Sequence, residues 1–267
     1  MNSDRIRQLL TVTAIAIAMF MTNLDTSIVN IAMPTLARYF QADTDGVSRV
    51  VLSYLLAMVS FLLIFGQISD RRGHERIFLL GYAVFTLASA LCGFAPTLLL
   101  LNLFRFLQGI GSAMLLASWG AIAVKYIPAE IRGRVFGIIT VFGGVGMALG
   151  APVGGFLLTW LSWRWIFLIN LPFGFLAIVL IRMVLDLKHT PASSGVKFDY
   201  LGSGLSLVGL FCLFLLLNTG KDAGWLCTKS IILGSVAILG LTGFYFRERN
   251  IPSPLLNIRH LSQRNLL

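Results

Sequence analysis

Charge is scarce in this chain. Only 12% of its 267 residues are charged, where a soluble domain carries about a quarter. Hydrophobic residues make up 57% and the mean hydropathy is +0.85. A chain this apolar could not cover its surface in water, so a bilayer must be its solvent. Acidic residues are scarcer still, 11 against 21 basic ones, giving a net charge of +10. That balance would suit nucleic acid if it formed one patch. Here the basic residues fall in the connections between apolar runs, which is how membrane topology is written, and no nucleic-acid partner is expected. Cysteine is limited to Cys92, Cys212 and Cys227, an odd number without a CxxC spacing. This excludes a disulfide framework and a cysteine-based zinc site, and the three read as small apolar helix residues. His74, His189 and His260 are far apart in loops. No GxSxG, Walker or HExxH motif is present, so no catalytic constellation, metal site or cofactor is expected, and an integral-membrane enzyme is disfavoured. Without a nucleotide site, any pumping must draw on an ion gradient.

What is present is a series of long apolar segments. Eight are long enough to cross about 30 Å of hydrocarbon: Leu9–Met33, Val47–Ile68, Ile77–Phe94, Leu98–Ala123, Val135–Leu158, Ile166–Leu185, Leu201–Leu217 and Ser230–Phe246. The first follows Arg5 and Arg7 like a signal peptide, but it outruns the usual core of about 7–15 residues and reads as a retained first transmembrane helix. The Ala95-Pro96-Thr97 turn makes the third and fourth spans antiparallel neighbours. With the N-terminus cytoplasmic, Arg38, Arg49, Arg164, Lys221 and Lys229 fall outside, Arg105 falls within a span, and the other fifteen basic residues fall inside. This bias places both termini in the cytoplasm, in the plasma (bacterial inner) membrane. The organisation read from the chain is an all-α integral membrane fold. Residues 1–185 form a six-helix bundle, 186–199 a cytoplasmic linker containing Pro, Ser and Gly, 200–247 an extra helix pair, and 248–267 a basic tail leading towards an absent second bundle.

Two ionisable groups lie within spans, Asp25 in the first and Arg105 in the fourth. Each costs about 2.5–3.5 kcal/mol at the centre of a bilayer, so each should face a bundle interior or a wet cavity. On one reading they share a central cavity and pair, directly or through water. On the other, Asp25 is structural, hydrogen-bonded near Thr22, Asn23 and Asn30. Asn102, Arg105, Gln108 and Ser112 recur at helical spacing and make one polar face. The fifth span carries Gly146, Gly150, Pro152, Gly154 and Gly155. Its small-residue face reads either as helix packing or as a pliable hinge at a moving interface. The charged turn from Gly66 to Arg76 suits a tight cytoplasmic loop.

Taken together, these segments resemble the major facilitator superfamily, in particular its fourteen-helix drug:proton antiporter branch. Gly66, Asp70, Arg71, Gly73 and Arg76 look like the cytoplasmic signature between the second and third helices. The stretch from Leu101 to Gly111 looks like the fourth-helix motif linked with proton coupling. The run from Leu24 to Pro34 looks like the first-helix motif, and Ser162 to Pro172 matches a hallmark at the start of the sixth. Asp199 to Gly202 and Gly224-Trp225 resemble the extra helix pair. There are departures: His74 and Glu75 stand where basic residues are usual, Arg49 replaces a tryptophan, and Pro152 falls one place late in the fifth-helix motif.

The resemblance implies a proton-coupled exporter of hydrophobic, preferentially cationic, small molecules, with lipid, substrate and protons as its partners. Asp25 would carry a proton or attract the cation, and Arg105 would link protonation to conformation. Asn102, Gln108, Tyr54 and Asn30 would line the cavity. Gly66, Asp70, Arg71, Gly73 and Arg76 would form the cytoplasmic gate. The family carries a second six-helix bundle, so a second half or self-association is expected to complete the cavity. The alternative is a truncated, non-transporting N-terminal half or assembly subunit.

Overall fold

The computed structural model describes residues 3–185 and 199–250. Residues 186–198 of the expected 186–199 linker, and 251–267 of the expected 248–267 tail, lie outside the described residues. Among those described, the structure is entirely helical: α1 (Ser3–Phe40), α2 (Thr44–Arg72), α3 (His74–Gly93), α4 (Leu98–Tyr126), α5 (Ala129–Trp160), α6 (Trp165–Leu168), α7 (Asn170–Val184), α8 (Tyr200–Ala223) and α9 (Thr228–Asn250). They supply eight stretches long and apolar enough to cross a membrane, in the order expected, with α6 and α7 together making the sixth. The helices outrun the apolar cores read from the sequence at most ends, because polar end residues continue the helix once the apolar middle has nucleated it.

Local chemistry sets the breaks. Asp43 caps α2 by accepting the Gly46 amide at 2.9 Å, and Thr97 caps α4 by accepting the Leu100 amide at 3.3 Å; both satisfy donors that a helix start leaves orphaned. Gly73 separates α2 from α3 at φ 95°, a conformation that only glycine adopts cheaply. Pro172 has no N–H with which to continue from α6 into α7, and the break falls at Ile169. Pro34 and Pro152 lie inside unbroken helices.

α1 packs along α5, α4 along both α2 and α3, and α7 against α1 and α3. The α8–α9 hairpin leans on α2. Asp199 ties the hairpin shut: it caps α8 through the Gly202 amide at 3.0 Å and accepts both 2.8 and 3.0 Å bonds from Arg247 Nε at the end of α9. Ser203 of α8 donates to Gln67 of α2 at 3.3 Å.

Two apolar clusters fill the bundle. One is built around Ala14, Phe78, Tyr82, Ile122 and Ile181. The other gathers Val29, Val50, Leu101, Trp163 and Phe167.

The glycines expected to soften α5 divide into two sets. Gly146, Gly150 and Gly154 lie against α1, where an added Cβ would meet the Phe20 backbone, the Ser27 side chain and Ile28, respectively. Gly155 has nothing within 4 Å of that position, and Pro152 is exposed. The face over α1 is therefore a close-packing seam.

Substitution should separate the two sets. Gly146→Ala places a methyl 3.1 Å from the Phe20 carbonyl carbon and should destabilise the chain by about 1–3 kcal/mol. Gly155→Ala should leave stability unchanged or raise it by up to about 1 kcal/mol, through helix propensity. Thermal unfolding in detergent reads both, and equal effects would show that the seam does not fix α1 on α5.

Candidate functional site

The polar face of α4 meets Asp25 of α1 in the middle of the bundle. Arg105 Nη1 donates to Asp25 Oδ2 at 2.6 Å and to Gln108 Oε1 at 2.7 Å. Arg105 Nε donates to the Val50 carbonyl of α2 at 3.2 Å. Gln108 Nε2 donates to Asp25 Oδ1 at 2.8 Å and to Ser89 Oγ of α3 at 2.6 Å. Asn170, the first residue of α7, donates to Asp25 Oδ1 at 2.9 Å and to Ser89 Oγ at 3.3 Å. Asp25, Arg105, Gln108, Ser89 and Asn170 are all 0% exposed.

Spacing explains why α4 can do this. Residues three and four apart share a helix face, so Arg105 and Gln108 reach one carboxylate and Ser112 lies next along. Ser112 accepts the Tyr54 hydroxyl at 2.9 Å. The Arg105 guanidinium lies 4.4 Å from the Tyr54 ring centroid and 5.7 Å from that of Phe167, distances at which an aromatic face attracts a cation. Arg105 Nη2 makes no hydrogen bond among the described residues, so both of its N–H donors are unused in a sealed site.

The ion pair is direct, and Asp25 draws its partners from α4 and α7. The neighbours offered by the structural reading bond elsewhere: Thr22 to the Ala18 carbonyl at 2.8 Å, Asn23 to Met19 at 2.8 Å and Asn30 to Thr26 at 3.1 Å. Asn30 is exposed on α1 and takes no part in the network. Asn102 also departs from expectation. It is half-buried and lines a separate groove between α2, α4 and α8. The expected open cavity around Asp25 and Arg105 is closed in this conformation, because five helices contribute to its walls. Ser89 and Asn170 were not anticipated as partners. A polar residue beside the proline-forced break at the start of α7 is the signal that points to Asn170.

At the end of the bundle carrying the α2–α3 turn, Asp70 is exposed and stands 3.8 Å from His74 across the turn. His74 Nδ1 lies 2.6 Å from Ser69 Oγ. Arg71 is half-buried and Arg76 exposed, and an added Cβ at Gly66 would meet nothing within 4 Å. Glu75 is not a gap in the charge pattern. Its buried carboxylate accepts Lys125 Nζ at 2.5 Å and the Tyr126 hydroxyl at 3.0 Å, joining α3 to the end of α4. Arg7 then stacks over Tyr126 at 4.9 Å and donates to the Val184 carbonyl at 3.0 Å. The N-terminal end of α1 and the C-terminal ends of α4 and α7 are thereby joined at this end. Among the described residues, no group of His, Cys, Asp and Glu has the arrangement of a metal site.

Residues 15–247 match the family model described as Major Facilitator Superfamily. The chain is 32% identical over 252 residues to the multidrug resistance protein Stp of Mycobacterium tuberculosis, covering 94% of this chain and 47% of that protein. It is 33% identical over 243 residues to the methylenomycin A resistance protein of Bacillus subtilis, covering 91% and 52%. It therefore spans about half the length of the curated relatives it matches. Among solved structures, the POT family transporter PepTSo superposes with a TM-score of 0.63 at 15% identity, over 91% of this chain and 52% of that one; at that identity the likeness speaks to fold alone.

The ion pair yields a thermodynamic test. Asp25→Asn leaves a buried guanidinium uncompensated and should cost about 3–5 kcal/mol of stability. Adding Arg105→Gln should recover part of that loss, with a coupling of at least about 1 kcal/mol in a double-mutant cycle measured by unfolding in detergent. Additive losses would mean that the pair is not formed.

Proposed function

Because this chain belongs to the major facilitator superfamily, a family of transporters rather than enzymes, we propose that it acts in proton-coupled export of hydrophobic small molecules across the bacterial inner membrane. It is a multi-pass membrane protein. The observation that carries the reading is the sealed network of Asp25, Arg105, Gln108, Asn170 and Ser89. A buried ionisable pair of this kind is costly to build and most often marks an ion or substrate path. Protonation of Asp25 would remove its charge and release Arg105, whose unused Nη2 donors already lack a hydrogen-bond acceptor. The names of the relatives support a drug as cargo. The preference for cations rests on Asp25, and that carboxylate is spent on Arg105 in this conformation. It would attract a cation only once the two had parted.

In the proposed topology both termini are cytoplasmic, so the Asp70–Arg76 turn and the Glu75–Lys125 pair form the inner gate. We assign residues 1–185 to one bundle and 200–247 to the accessory pair. Alternating access rocks one bundle against another around a shared site. The opposing wall would come from a second six-helix bundle, whether a further half or a second copy of this chain. The second reading is a subunit that transports only when joined to such a half.

Proteoliposomes with an imposed proton gradient and ethidium as cargo test the proposal. The chain should move dye against its gradient, alone or with a complementary bundle supplied. Asp25→Asn and Arg105→Lys should each slow transport at least about tenfold, equivalent to 1.4 kcal/mol on the limiting step. Proton-driven movement unchanged in both variants would overturn the coupling role. Dye movement only with the added bundle would favour the subunit reading.

A further inference from the structure

The groove lined by Asn102 has a chemistry the central network does not explain. It measures about 490 Å³ and opens between the starts of α2 and α4, the end of α8 and the start of α9. Its polar lining includes Asp45, Arg49, Asn102 and Lys229, and its apolar walls include Leu52 and Phe214. Arg49 and Lys229 are exposed and form no ion pair among the described residues. Asn102 Oδ1 is buried without a hydrogen-bond partner, and a buried acceptor left unpaired costs about 1–3 kcal/mol.

Depth narrows the ligand. At 1.5 Å per residue, Arg49 lies about 7 Å and Asn102 about 6 Å from the starts of their helices. α2 has 29 residues, so it spans about 43 Å, close to the full thickness of a bilayer with its headgroups. These side chains therefore sit at headgroup level, and Leu52 and Phe214 belong to the apolar part of the same groove. Two cations call for an anion, while Asp45 and the unpaired Asn102 carbonyl call for a donor. A phosphate carrying a primary ammonium, attached to acyl chains, supplies all three.

We propose that this groove is a binding site for an aminophospholipid of the leaflet opposite the Asp70–Arg76 turn. The phosphate lies between Arg49 and Lys229, and the ammonium faces Asp45 and Asn102. An acyl chain fills the gap between α2 and α8, so the lipid joins the accessory helix pair to the bundle. This assignment does not depend on proton coupling or on the identity of the exported molecule.

Native mass spectrometry of the detergent-purified chain with defined lipids tests it. Phosphatidylethanolamine should be retained about tenfold better than phosphatidylcholine, which has the same charge and chain but no ammonium N–H; tenfold corresponds to about one charge-assisted hydrogen bond. Arg49→Gln with Lys229→Gln should lower retention of both lipids about tenfold. Asn102→Leu should erase most of the difference between them. Ser53 also lines the groove, and Ser53→Trp, which fills it and leaves its charges in place, should exclude both. Soluble glycerophosphoethanolamine at millimolar concentration should not displace the lipid. Equal retention of the two lipids by the unaltered chain, retention unaffected by the charge and Ser53 variants, or displacement by the soluble headgroup would each overturn the proposal.

Discussion

A carboxylate and a guanidinium that are both closed off from solvent must find their partners inside the protein, and this requirement organises the bundle around Asp25 and Arg105. Desolvating the two charges costs several kcal/mol per ion, and the Coulombic attraction offsets that only if the remaining lone pairs and protons are also satisfied. The structure meets the condition unevenly. Asp25 receives three donors, from Arg105, Gln108 and Asn170. Arg105 places Nε on a main-chain carbonyl, Nη1 on two acceptors and its π-face on Tyr54. Because these partners come from α1, α2, α4 and α7, with α3 supplying Ser89, the helices cannot shift independently without exposing a charge to hydrocarbon. The pair is poor as a source of net stability and effective as a registration device.

α1 carries the consequences. It meets this network and, through Phe20, Ser27 and Ile28, the bare-backbone seam of α5. Small residues let helices approach closely where lipid supplies no hydrophobic drive, so α5 is held by contact area and α4 by charge. These contacts respond differently to perturbation. A methyl group at Gly146 strains the seam and spares the network, whereas neutralising Asp25 empties the network and spares the seam. The end with the α2–α3 turn adds a third tie, in which Glu75, Lys125, Tyr126 and Arg7 connect four helices. Motion within the bundle is thus restrained at its centre and at one end.

Hydropathy alone made the eight spans and the turns between them legible, because a segment that must satisfy every backbone group in lipid has few options other than a helix. The pairing of Asp25 with Arg105 was legible for a related reason: two isolated opposite charges in an apolar chain have little else to pair with. Its completion was not. Asn170 and Asn102 are the same residue type, yet one closes the network and the other lines a separate groove between α2, α4 and α8. Which face of a helix meets which neighbour depends on rotation and crossing angle, and a polar residue's spacing along its own helix does not fix these. Asn30 misled for the same reason, being near Asp25 in sequence but exposed on α1. Glu75 shows the converse: judged against a family pattern it looked like a lost charge, while its partner Lys125 lay fifty residues away on α4.

The closure of the site also bears on how a proton could be used. Asp25 is closed off from solvent in this conformation, so in the proposed cycle its protonation would accompany separation of the helices that cover it. Once the carboxylate is neutral, Arg105 keeps its charge but loses its counterion, and a sealed cavity becomes its most costly location. In the proposed cycle it would turn towards water or an incoming anion, and α4 would move relative to α1. Asn170 would take part in such a switch, because it ties the start of α7 to Asp25 at 2.9 Å. Proton entry and helix displacement are then two descriptions of one event, and in the proposed cycle the coupling would follow from burial itself, with no separate device to enforce it.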